Sequence, residues 1–178
     1  MTAADGPTIS LGPPSHNSLD DLDAGASSPD GQATVRIHGR STISFSLAPG
    51  VYERTAEPDM ERRLTQLARL GFVARMRAYY ALRSQGFGQT YTKEAPAVSP
   101  RDRQYVDERS RIIASGSSPD GRIQVTVAGM EFWTVDIQPG TLSTLDEASF
   151  CAAVSSAARE VVQDQFRQIR RLKDEIYG

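Results

Sequence analysis

Arginine carries the only chemistry this sequence presents in quantity. Six arginines, Arg62, Arg63, Arg69, Arg75, Arg77 and Arg83, fall in one stretch that holds no acid from Arg62 to Ser84. Four more cations, Arg167, Arg170, Arg171 and Lys173, cluster near the C-terminus, interleaved with Asp164, Asp174 and Glu175. A guanidinium is a rigid fork of donors that matches phosphate, so arginines along a helix grip a nucleic-acid backbone without reading its bases. The same residues also make an ordinary solvated helix face, with C-terminal cations favoured by the helix dipole. Both clusters are DNA-binding candidates, and the acid-free stretch is the cleaner of the two.

Other side chains supply less. His16 lies in a Gly-, Pro- and Ser-rich opening segment and His38 at a hairpin end, with no acid or nucleophile spaced to serve either. Cys151 sits near the start of an apolar-striped helix, a position that gives a thiolate some stabilisation, yet it follows Phe150 and precedes Ala152, so an ordinary small helix residue is expected. One cysteine and two distant histidines give no metal-ligand spacing, and the carboxylates form no paired motif. The expectation is a protein without catalysis, metal or cofactor.

The whole-chain charge tempers the arginine signal. The 178 residues carry 20 Lys plus Arg against 22 Asp plus Glu, a net charge of −2, which argues against a strong nucleic-acid binder. The distribution is uneven: residues 51–113 hold twelve bases against eight acids, whereas the segments before and after are each net acidic by three. With 39% apolar and 24% charged residues the chain is neither a membrane protein nor wholly disordered. It contains no run of about 18 apolar residues, and its single cysteine excludes an internal disulfide scaffold. A cytoplasmic location is expected.

Positioning these residues falls to a repeated architecture. Residues 24–31, AGASSPDG, recur at 114–121 as ASGSSPDG, an offset of 90 that also pairs Val35 with Val125, Gly39 with Gly129, and Pro49-Gly50 with Pro139-Gly140. Each unit opens on Ser-Pro-Asp-Gly turn chemistry and alternates apolar and polar residues through two strands. Gly39-Arg40 and Gly129-Met130 separate the strands and suit two-residue type II′ turns with glycine leading. After each Pro-Gly the periodicity becomes helical over 25 to 33 residues: Met60, Leu64, Leu67 and Gly71 begin one stripe, and Phe150, Val154, Ala157 and Val161 the other. Thr144 or Asp146 would cap the second helix. Ahead of the second hairpin, residues 101–109 suit a short helix and 111–115 a third strand. The expected organisation is a flexible acidic tail over 1–26, a first degenerate unit over 27–84, a linker over 85–100 and a second unit over 101–178. The fold class is α+β, two β-hairpin plus long-helix units with antiparallel sheet and projecting helices.

The order of strand, Ser-Pro-Asp-Gly, hairpin, Pro-Gly exit and long C-terminal helix resembles the YbaB/EbfC family. The residues carrying it are SSPDGRIQVTVAGMEFWTVDIQPG at 117–140 and the helix through Tyr177, with residues 27–84 as a second copy. The resemblance implies a tandem, actinobacterial-type member whose long helices project from a hairpin sheet. It further implies an oligomer that binds duplex DNA with little sequence preference and is nucleoid-associated. Two copies in one chain would form either an intrachain pseudo-dimer or part of a homodimer. Some actinobacterial proteins of this shape look like accessories of specialised secretion systems. That opens an alternative, a protein-interaction adaptor or chaperone presenting Phe72, Tyr79 and Tyr80 to a protein partner.

Overall fold

Two Ser-Pro-Asp-Gly turns set the frame. In the first, the buried Ser28 hydroxyl donates to Asp30 Oδ1 (2.6 Å) and accepts from the Ala33 N–H (2.9 Å), while the Gln32 N–H donates to the same carboxylate (3.1 Å). Ser118, Asp120, Arg122 and Ile123 repeat the pattern at 2.5, 3.1 and 3.0 Å. Each turn fixes the chain reversal into a strand by contacts within five residues.

The computed structural model describes residues 19–87, 90 and 93–178. Strands β1 (Asp23–Ser27), β2 (Ala33–His38) and β3 (Thr42–Leu47) form one antiparallel sheet, followed by a single turn α1 (Val51–Arg54) and the long α2 (Glu57–Phe87). Then come α3 (Pro100–Arg109), a second antiparallel sheet of β4 (Ile113–Ser117), β5 (Ile123–Ala128) and β6 (Phe132–Ile137), the turn α4 (Thr141–Thr144) and α5 (Glu147–Tyr177). Every element of the first unit has a counterpart 90 residues later, and both long helices count 31 residues. The fold is α+β, as the alternating and helical periods required.

Three boundaries differ from the sequence expectation. The segment expected to be a flexible tail through residue 26 ends in strand β1, with Leu22 buried in the core; its residues 1–18, His16 among them, lie outside the described residues. Apolar alternation there is only Leu22, Ala24 and Ala26, too short and too small to stand out. Helix α2 runs to Phe87, into the segment expected to be linker. The hairpin loops have three residues, not two, because His38 pairs with Thr42 and Ala128 with Phe132. The Gly39 and Gly129 N–H groups turn outward to Leu22 O (2.7 Å) and Ile112 O (2.9 Å) instead of closing the hairpin. Positive φ at Gly129 and Met130 (58° and 66°) makes that turn unlike type II′, in which only the first residue is left-handed.

Helix ends follow their sequence signals. Asp146 caps α5 by accepting from the Ser149 N–H (2.7 Å). Ser99 and Asp102 form a capping box at α3, with Pro100 in the first helical turn. Helix α3 lies on the end of α5, where the Tyr177 hydroxyl donates to Asp102 (2.9 Å) and its ring lies 5.9 Å from that of Tyr105. Glu94, in the segment between the units, holds Arg109 by two bonds of 2.6 Å.

The two units share one hydrophobic core rather than packing as separate bodies. Phe150 is fully buried, with its ring 6.4 Å from Phe45 and 5.3 Å from Tyr52 of the other unit. The Tyr52 hydroxyl donates to Leu142 O (3.2 Å) and Leu145 O (2.7 Å). Phe150→Ala should therefore cost about 3–5 kcal/mol. It should lower the urea midpoint of both units together, in one transition by circular dichroism and by Trp133 fluorescence; two separated transitions would contradict the shared core.

The turns also set an acid limit. The Ser28 hydroxyl, the Gln32 N–H and then Arg63 hold Asp30 down to about 2, and the Ser118 hydroxyl and Arg122 N–H lower Asp120 in the same way. A carboxyl depressed in the folded state stabilises it above the unfolded value of about 4 and loses that contribution as pH falls toward 2. Urea midpoints measured between pH 5 and pH 2 should fall with pH, and fall less steeply when Asp30 and Asp120 are both replaced by Ala.

Candidate nucleic-acid interface

Helical geometry separates the six arginines of α2 into three groups. Arg62 is paired with Asp59 one turn away, and Arg63 with Asp30 (2.7 Å) of the first Ser-Pro-Asp-Gly turn. Arg69, Arg77 and Arg83 are exposed along the outer side. Arg75 turns inward, since it follows Leu67 and Gly71 at four-residue steps on the stripe that faces the core. Its guanidinium donates to the Arg40 carbonyl (3.3 Å) and lies 4.9 Å from the centre of the Phe166 ring. The acid-free stretch is thus not one cationic face, and the preference for it over the second cluster is not supported by its geometry.

The second cluster is the one the fold assembles. Arg167, Arg170, Arg171 and Lys173 of α5 line a groove of about 720 Å³ whose other wall is the β2–β3 loop, with Arg40 and Ser41. Arg40, paired with Asp20 (3.3 Å), was not among the sequence candidates. Its signal was its place as the tip of a hairpin, which becomes informative only when α5 of the other unit is known to lie beside it. Phe166 floors the groove and is 40% exposed, a flat apolar surface among cations. Lys173 also lies 5.7 Å from the centre of the Tyr105 ring.

Two acids of α5, Asp164 and Glu160, are turned to the sheet. Asp164 accepts from the Ser115 N–H (3.1 Å) and Glu160 from the Ser117 N–H (2.6 Å), both on the open edge of β4. Partial burial alone would raise the Asp164 carboxyl, but the Ser115 N–H, the Gln168 amide and Arg167 hold it below its ordinary value. It therefore stays ionised and tied to the strand, although it also reaches Arg167 at 3.2 Å. Of the acids near the C-terminus, Asp174 does line the groove. Among the described residues no ion pair engages Arg170, Arg171 or Lys173.

The remaining candidates are placed as follows. Phe72 and Tyr79 are half-buried against the core, with the Phe72 ring 5.8 Å from Trp133, so they are not the exposed contacts that the adaptor reading expects. Tyr80 stands against Tyr79 at 5.4 Å. His38 ends β2 opposite Thr42. Among the described residues no three His, Cys, Asp or Glu are grouped to hold a metal ion, and no helix is long and apolar enough to cross a membrane.

Cys151 packs as a small helix residue: burial, with Glu147 nearby, pushes its thiol up to about 11. At pH 8 only about one thiol in a thousand would be ionised, against about a quarter for an ordinary cysteine. Iodoacetamide labelling of the folded chain should be correspondingly slow and should accelerate with pH through 10; labelling at the rate of a free thiol at pH 8 would contradict this placement. Compared with models of protein families and with curated proteins, the chain finds no match.

Proposed function

We propose that the chain binds duplex nucleic acid through its phosphate backbone, without reading sequence, as a cytoplasmic, nucleoid-associated protein. The observation that carries this reading is the convergence of Arg167, Arg170, Arg171 and Lys173 with Arg40 on one groove, while Asp164 and Glu160 are held at the β4 edge. Arginine forks match phosphate oxygens bidentately, and an exposed aromatic floor suits the sugar of the backbone. The resemblance of 117–177 to YbaB/EbfC sequences supports the same reading, and the 90-residue correspondence of elements supports a tandem arrangement of that unit.

One feature favours a second reading, docking of a protein. On the outer face of the second sheet Ile113, Ala128 and Phe132 stand side by side, and Ile113 and Phe132 are 63% and 68% exposed. The corresponding positions of the first sheet are Asp23, His38 and Thr42, so the apolar row is specific to one copy.

Fluorescence anisotropy with a labelled duplex over a salt series tests the first reading. Four phosphate contacts would give a slope of log K against log salt of about −3.6. Replacing Arg167, Arg170 and Arg171 by Gln should flatten it to about −0.9, while Arg69→Gln with Arg77→Gln should leave it unchanged. Absence of binding at low salt would overturn the reading; a slope unaffected by the triple variant would remove the groove from it.

A further inference from the structure

Where α2 and α5 meet between the two sheets, the core is not completely filled. A partly open cavity of about 80 Å³ is lined by equivalent positions of both units, among them Val35 with Val125, Ala68 with Ala158, and Arg75 with Gln165. Almost all of its wall is aliphatic or aromatic. Three N–H donors on that wall have no acceptor among the described residues: Arg75 Nε, Gln165 Nε2 and Trp133 Nε1. Gln165 is 5% exposed and Trp133 is 6% exposed, so neither reaches bulk solvent.

Such a combination is costly without a partner. A buried donor left unpaired costs about 1–3 kcal/mol. No carboxylate pairs with Arg75 among the described residues, and burial pushes its guanidinium below its usual range. Polar side chains thus occupy the same position of both long helices, on stripes that are otherwise apolar, and both line one cavity.

We propose that this cavity is a binding site for a short-chain monocarboxylate, with its carboxylate on the donors of Arg75, Gln165 and Trp133 and its alkyl end among the aliphatic residues. One guanidinium balances one negative charge, which favours a carboxylate over a phosphate dianion. The apolar wall favours an anion with an alkyl end over a bare halide. The volume is about half the 150 Å³ that accepts benzene, so the partly open cavity limits the ligand to roughly acetate or propionate. Arg75 sits at the boundary between this cavity and the basic groove, since it also contacts Phe166 and the Arg40 carbonyl, so the anion has a cationic approach. The site stands independently of whether the groove meets nucleic acid.

Trp133 is the only tryptophan of the chain and lines the cavity, so its fluorescence reports occupancy. The full chain is titrated with sodium propionate against sodium chloride at equal ionic strength. Expected is a saturable change with propionate and none with chloride. Gln165→Leu should weaken the apparent affinity about tenfold and Arg75→Met should abolish saturation. Arg167→Gln, in the groove, should leave it unchanged. If Arg75→Met does not fold, the Gln165→Leu comparison decides. The proposal is overturned by an equal response to chloride, by a response that never saturates, as expected if water alone satisfies these donors, or by a Gln165→Leu curve that overlays the unmodified chain.

Discussion

A three-stranded sheet has two raw edges, and closing them governs how this chain is assembled. The Val135 and Ile137 N–H groups on the outer edge of β6 donate to Thr65 (3.1 Å) and Glu61 (2.8 Å) of α2, a helix of the other unit. Glu57 continues the row by accepting from Gly140 (2.8 Å) and Thr141 (3.2 Å). Reciprocally, the Phe45 N–H on β3 donates to Ser155 of α5 (3.0 Å). Each such N–H would otherwise lack a partner at about 1–3 kcal/mol and invite pairing with another chain. Neither unit closes its own hairpin edge. The exchange of helices is what merges two small cores into one.

The same constraint shapes the surface chemistry. Glu61 serves the edge of β6, Glu57 the start of α4, Glu160 and Asp164 the edge of β4, and Asp30 and Asp120 the two turns. A chain of net charge −2 thereby keeps a good part of its negative charge at backbone N–H groups, while the cations of α5 line an open groove. Net charge is a poor guide to such a surface because it weights a carboxylate held by a strand as heavily as one facing solvent.

What was legible in the sequence follows the range of the interactions involved. The Ser-Pro-Asp-Gly turns, the hairpin strands and both long helices rest on contacts within a few residues, and the 90-residue offset displayed them twice, whereas Asp146, one of two caps the sequence offered for α5, has only Ala56 as its counterpart. Strand β1 was lost in an acidic, Gly- and Ser-rich context because only pairing with β2 and cover from Leu22 select it. For the site, the sequence grouped the α5 cations, which line one groove, but ranked the α2 arginines above them. That ranking counted acids along the chain, whereas Arg75 was already marked as inward by its four-residue step from Gly71. Arg40 joins α5 only through the exchange of helices, an arrangement that no local pattern encodes.

The two copies keep one backbone and diverge in what they carry. Close approach of helix to sheet is met by a glycine on the strand in one copy, where a Cβ on Gly116 would lie 2.2 Å from the Val161 nitrogen. In the other the glycine is on the helix, where a Cβ on Gly71 would meet Val35 at 3.0 Å. Gly71 and Val161 are equivalent positions, and Ala26 stands where the second copy has Gly116, so the two copies place their small residue on different sides of the helix–sheet contact. Surface positions have diverged further: Arg40 answers to Met130, Phe166 to Met76, Arg170 to Tyr80 and Arg171 to Ala81. A homodimer would present two identical faces, whereas two copies within one chain let them differ: Arg167 and Lys173 answer to Arg77 and Arg83, but Arg40, Arg170 and Arg171 have no cationic counterpart. Asymmetry of this kind is available only because edge closure holds the frame fixed, so that substitutions outside the shared core and the edge contacts change chemistry without changing architecture.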